Sequence, residues 1–105
     1  MLRTKIKDFD YVNFITKIEN YQKQRGVNKD YYFEDYFYNS QNNTITINEY
    51  YGVYEVKIFN DNNGGGASIA FYKESKYLKS NKTKNKFCND VLQIFNDSVV
   101  KKGGL

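Results

Sequence analysis

The spacing of apolar residues changes twice along the chain, and that change of period limits what the chain can fold into. Between residues 8 and 25, Tyr11, Phe14, Ile15, Ile18 and Tyr21 recur at steps of three and four, the spacing that lines one face of a helix. Asp8 and Asp10 precede the run, Lys23 and Arg25 sit where the carbonyl end of a helix favours cations, and Gly26 can close the last turn. The spacing predicts a helix over 8–25. Beyond Asn28 the period becomes two, with aromatic and β-branched residues in the runs and Asn, Ser and Gly between them, which is the pattern of sheet.

Strands are predicted over 31–38, 44–49, 53–59 and 67–72, with turns at 40–43 and 61–66. In the second, Ile45 and Ile47 oppose Thr44 and Thr46; in the third, Tyr54, Val56 and Ile58 oppose Glu55 and Lys57. The segments either side of Gly52 read equally as two strands or as one strand kinked there. From Asn85 the helical period returns, with Phe87, Val91, Ile94, Phe95 and Val99 opposite Asn89, Asp90, Gln93, Asn96 and Asp97, and with Lys101, Lys102 and Gly103 suited to its end. The order is N-terminal helix, antiparallel meander of three to four strands, and C-terminal helix, an α+β fold with the helices packed on the sheet. A chain of 105 residues has apolar material for one core, so residues 1–105 are expected to form a single domain. Phe14, Ile18, Val56, Ile58, Phe71, Val91 and Phe95 are its expected centre.

The chain has no His, which removes the commonest general base near neutral pH and the commonest metal ligand. Cys88 is its only cysteine, so neither an internal disulfide nor a cysteine-based zinc site can be built. No cofactor-binding pattern is present. No stretch approaches the ~20 apolar residues of a membrane-spanning helix, and the expected location is the cytoplasm, with no membrane partner.

Charge is unevenly distributed. Residues 73–86 hold six lysines against Glu74 alone, so the rest of a chain of net charge +4 sums to −1. Lys76, Lys79, Lys82 and Lys84, with Tyr77 and Tyr72 as stacking surfaces, form a candidate nucleic-acid site, while a solvated connector or short irregular helix would have the same composition. Only Arg3 and Arg25 are available for bidentate base recognition, so such binding would read backbone and shape. The run from Tyr31 to Tyr38 has six aromatics in eight residues. A strand buries alternate side chains, so some of these rings should face outward; Tyr32, Glu34, Asp35, Tyr36 and Tyr38 are the candidate partner-binding residues, with Tyr50 and Tyr51 extending the patch. The alternative is that these rings wrap the helices in a core short of Leu.

Glu55-Val56-Lys57 resembles the second half of the PD-(D/E)xK pattern of metal-dependent nucleases, with Glu19 as a possible helical acid. In that family the acids hold Mg²⁺ and the Lys positions the attacking water. The preceding strand, however, lacks the Asp that the pattern requires, leaving only Asp35 or Glu49. Alternating charges on a solvated strand face give the same spacing. Gly64-Gly65-Gly66 has no Gly-Lys-Ser/Thr after it and reads as a turn.

In size, composition and element order over residues 8–102, the chain resembles the small accessory proteins of phages and mobile elements, including anti-CRISPR inhibitors. The resemblance implies a non-enzymatic inhibitor that blocks a host nucleic-acid-guided nuclease complex by protein–protein contact, through the tyrosine-rich run. The runner-up is a direct nucleic-acid binder that uses the lysine-rich segment.

Overall fold

The computed structural model describes residues 6–25, 33–49, 52–61, 65–79 and 83–100. They form α1 (Tyr11–Arg25), β1 (Phe33–Asn39), β2 (Thr44–Glu49), β3 (Tyr54–Asn60), β4 (Ala67–Lys73), β5 (Lys76–Tyr77) and α2 (Lys86–Ser98). The five strands make one antiparallel sheet in sequence order, β1-β2-β3-β4-β5. Because every connection joins neighbours, each strand's inward set is fixed by the strand before it. Ile45 lies opposite Ile58 and Ile47 opposite Val56; Val56 in turn faces Phe71, and Ile58 faces Ile69. These residues form one cluster with Phe14 and Ile18 of α1 and Phe87, Val91 and Phe95 of α2, which puts both helices on one face of the sheet.

All seven residues expected at the core centre are buried. Ile6 joins them, and Phe9 packs its ring on Phe14 and Phe95 at centroid distances of 5.2 and 5.8 Å. The N-terminal segment is held there by the end of α2: the Asp10 amide donates to the Ser98 carbonyl (2.7 Å), the Val100 amide to that of Asp8 (2.9 Å), and Phe9 bridges Val99. This pairing shortens both helices relative to the periodicity. Asp8 takes a left-handed φ of 56°, so α1 begins after Asp10, whose carboxylate accepts from the Asn13 amide at 2.9 Å and caps the helix. Val99 is extended, so α2 ends at Ser98 and not beyond Lys101.

The meander has five strands where three to four were expected. Glu74 and Ser75 both have positive φ (50° and 68°), the backbone of a two-residue type I′ hairpin, and this returns Lys76 and Tyr77 against Lys73 and Tyr72. The front of the lysine-rich segment is therefore sheet rather than a connector, and the Leu78 amide pins it by donating to the Phe71 carbonyl at 2.9 Å. At Gly52, φ is +72°, and the chain reverses there, so β2 and β3 are two paired strands and not one bent strand.

Candidate functional site

Strand parity divides the side chains of the sheet into two sets. The inward set is covered by the helices. Nothing among the described residues packs as a layer on the outward set, which comprises Phe37 and Asn39 of β1, Thr44, Thr46 and Asn48 of β2, Glu55, Lys57 and Phe59 of β3, Ser68, Ala70 and Tyr72 of β4, and Tyr77 of β5. Phe37, Phe59, Tyr72 and Tyr77 do not join the core cluster. Phe37 and Tyr77 are 48% and 58% exposed, large aromatic areas left in water on an otherwise regular sheet.

At the middle of this open face small residues alternate with large ones. Phe37, Thr46, Lys57 and Ala70 lie in one row across four strands. Thr46 and Ala70 are buried on this side of the sheet, away from both helices. Along one side the polar and aromatic groups are coupled. The Lys57 Nζ lies 5.2 Å from the Tyr72 ring centroid and 3.9 Å from a Glu55 carboxylate oxygen, and Tyr72 meets Tyr77 edge-on at 5.8 Å and 64°. A lysine over a ring face is a cation–π contact. It holds the ring in place and leaves Tyr77 as the outer end of a short aromatic ledge.

The lysines of segment 73–86 follow Tyr72 and flank Tyr77 along the chain. Lys76 and Lys73 share the helix-side parity of the β4–β5 hairpin, with the Lys73 Nζ 5.6 Å over the Tyr54 ring. Lys79 and Lys84 follow and are exposed. Among the described residues Lys76, Lys79 and Lys84 have no carboxylate partner, whereas Lys86 is paired with Asp90 at 2.9 Å. Lys82 lies outside the described residues.

The tyrosine-rich run is placed differently from its sequence reading. Tyr36 is opposite Ile47 and Tyr38 opposite Ile45, so both rings lie on the helix-covered side, half-buried against the core. The Tyr38 hydroxyl donates to the Asn43 side-chain oxygen at 2.7 Å. Burial raises the pKa of Tyr36, and the Glu19 carboxylate of α1 raises it further; Tyr11 is raised by burial, then by Tyr36, Glu19 and Tyr38. Among the described rings of this run, Phe37 is the one on the outward side. Glu34 and Asp35 are described as backbone of β1, with a register shift between Phe33 and Asp35, and Tyr32, Tyr50 and Tyr51 lie outside the described residues.

The same division separates the nuclease-like residues. Glu55 and Lys57 are on the open face, while Glu19, electrostatically coupled to Tyr11 and Tyr36, is on the helix side. The sheet stands between them, and among the described residues no three His, Cys, Asp or Glu side chains converge as metal ligands. Glu49 is buried on the helix side, where it accepts from the Asn85 side-chain amide at 3.1 Å. The oxygen of that same amide caps α2 by accepting from the Cys88 amide at 2.9 Å. Burial pushes the Cys88 thiol up to about 12, with Thr83 opposing and Glu49 adding to the shift, which makes it an inert core thiol.

The sequence reading names Tyr72 and Tyr77 as stacking surfaces but does not place Lys57 over Tyr72, nor Phe37 and Phe59 elsewhere on the same face. Parity was enough to find Phe59, since it follows Glu55 and Lys57 at a step of two. No helix of the described residues is long and apolar enough to cross a membrane. Comparison with known proteins finds no matching family model, no matching curated protein and no matching solved structure.

Proposed function

We propose that the protein is a non-enzymatic binding module whose working surface is the open face of the sheet. The observation that carries this reading is the outward aromatic set of Phe37, Phe59, Tyr72 and Tyr77 on a face that neither helix covers. Phe37 and Tyr77 are exposed at the two edges of this face, solvated apolar area that burial against a partner would remove from water. The chemistry of this reading is recognition and not turnover: Lys57 stands over the Tyr72 ring with Glu55 beside it, and no group of three metal-ligating side chains forms around them among the described residues.

A second reading keeps the partner a protein, as the resemblance to phage inhibitors implies. It is supported by β1, an edge strand of seven residues carrying the exposed Phe37, because an unpaired edge can accept a strand from another chain. In that reading Phe37, and not Tyr36 or Tyr38, is the anchor against a nucleic-acid-processing complex.

Affinity capture from lysate of the producing or host cells, with and without nuclease treatment, tests the surface itself. Three baits are compared: the parent, an open-face variant (Phe37→Ser with Tyr77→Ser), and a control, Val12→Ser, altered at an exposed position on α1. The captured species should be lost with the open-face variant and retained with the control, at unchanged melting temperatures. Equal capture by the open-face variant would place the binding surface elsewhere. A single protein that survives nuclease and depends on Phe37 would favour the inhibitor reading.

A further inference from the structure

We infer that the partner of the open face is single-stranded nucleic acid, bound over the Tyr72–Tyr77 ledge with its phosphates directed to the lysines at the β5 edge. This rests on the open-face reading and adds the chemistry of the partner. Three features of the face support it. First, Tyr77 is exposed on the β5 edge and Tyr72 meets it edge-on from the paired position on β4; aromatic side chains standing on a sheet accept unstacked bases on their faces regardless of sequence. A duplex keeps its bases stacked and cannot use them. Second, the segment that carries Tyr77 is basic: Lys73, Lys76, Lys79 and Lys84 are all exposed, and only Glu74 opposes them among its described residues. Third, β5 is the edge strand, and Lys73 and Lys76 have the opposite parity to Tyr72 and Tyr77, so they stand on the other side of the hairpin from the rings. A backbone that reaches them passes over that edge while its bases lie on the ring side.

Glu55 sets the limit of the footprint. Its carboxylate stands on the open face beside Lys57 and opposite Tyr72, where it repels a phosphate that strays towards the centre of the sheet. The strand is thereby confined to the β4–β5 side. The far side of the face, with Phe37 on β1, does not contact it.

The test is fluorescence anisotropy of a labelled oligothymidylate of about 12 nucleotides, a length within the span of small single-strand sites, against a duplex of the same length. The parent should bind the single strand more tightly than the duplex. Tyr77→Ala, at a largely exposed position, should weaken single-strand binding by about fivefold to a hundredfold, the loss of one stacked base. Lys76→Gln with Lys79→Gln should flatten the dependence of log affinity on log salt by about 0.7 for each phosphate contact removed. Glu55→Gln should tighten binding by up to about fivefold, the strength of an exposed charge pair, and Val12→Ser, at an exposed position on α1, should leave it unchanged. Tyr77→Phe, which keeps the ring, should bind as the parent does, so any loss in Tyr77→Ala belongs to stacking.

Equal affinity for single strand and duplex, binding indifferent to Tyr77→Ala, or no binding at about 50 mM salt would each overturn the inference. If oligonucleotides fail while Phe37→Ser with Tyr77→Ser still abolishes capture of a protein, the open face remains the working surface and its partner is that protein. If the captured species is indifferent to both substitutions, the reading of the face itself has failed.

Discussion

Phe71 and Tyr72 are adjacent on one strand and have opposite fates. Phe71 lies among Val56, Phe87 and Val91 in a core that two helices close, whereas Tyr72 stands on the other side under one lysine and beside one tyrosine. The same contrast runs across the whole sheet, with Ile45, Ile47, Val56 and Ile58 on one face and Thr46, Lys57, Phe59 and Ala70 on the other. The covered face packs aliphatic side chains with Phe71, Tyr36, Tyr38 and Tyr54 under the helices. The open face carries four rings, one charged pair and small polar residues among the described positions. On the reading proposed above, one face carries stability and the other recognition, and substitutions on the two faces should divide accordingly.

The largest effects belong to the covered face. Phe71→Ala and Phe95→Ala each empty a ring's volume from a closed core and should cost about 3 to 5 kcal/mol, enough to unfold much of so small a domain; chemical denaturation measures it. Tyr72→Ala, one residue away, should cost about 1 kcal/mol, the value of its ring and cation–π contacts. Equal losses from Phe71 and Tyr72 would erase the distinction between the faces.

The next effect is alkaline. Cys88 is buried beside the start of α2, and its thiol is raised from 9.0 to about 12. Between those values the folded chain keeps a proton that the unfolded chain has lost, so stability is intact below pH 9 and falls as pH rises towards 12. Three pH units correspond to a loss of about 4 kcal/mol at the upper end. Cys88→Ala should remove most of that slope, leaving the part due to Tyr11 and Tyr36, whose raised hydroxyls act in the same direction above pH 10. Melting temperatures across the alkaline range report both. Native Cys88 should also resist thiol reagents near pH 8 until the chain is unfolded.

A smaller effect is expected where the layers are tied together. Asn85 caps α2 and donates to the buried Glu49 of β2. Asn85→Ala should cost about 1 to 3 kcal/mol, because it removes the cap and leaves a buried carboxylate without that donor. Asn85→Asp would retain the cap but set two carboxylates together, so it should rescue poorly. Substitutions confined to the open face should be smallest: Phe37→Ser should change stability by about 0.5 kcal/mol or less, and Gln at Lys76, Lys79 and Lys84 should leave the melting temperature near that of the parent.

The covered face was legible in the sequence because its residues obey one period per element. Phe14 and Ile18 mark a helix; Val56 and Ile58 mark a strand; Val91 and Phe95 mark another helix. The open face was harder to read for two physical reasons. In Tyr36-Phe37-Tyr38 every residue is aromatic, so alternation carries no signal, and the side each ring takes is decided by its pairing with Ile47, Thr46 and Ile45. Tyr36 and Tyr38 thereby went inward and Phe37 outward. The β4–β5 hairpin was hidden because Glu74-Ser75 adopts left-handed conformations without the Asn-Gly that usually announces them. That turn brings Tyr77 beside Tyr72 and makes a ledge out of what reads as a charged linker. Helix ends were misjudged where the contact of Phe9 with Val99 overrides local preference.

The central claim is that the face away from the helices meets the partner. It is tested most directly by amide NMR of the isotopically labelled full chain, titrated with an oligothymidylate of about 12 nucleotides. Perturbations should cluster at Lys57, Ala70, Tyr72 and Tyr77 and along the adjoining lysines, while Phe14, Ile18, Val91 and Phe95 of the helices remain still. Shifts concentrated on α1 and α2, with the outward positions of β3 and β4 unmoved, would contradict it.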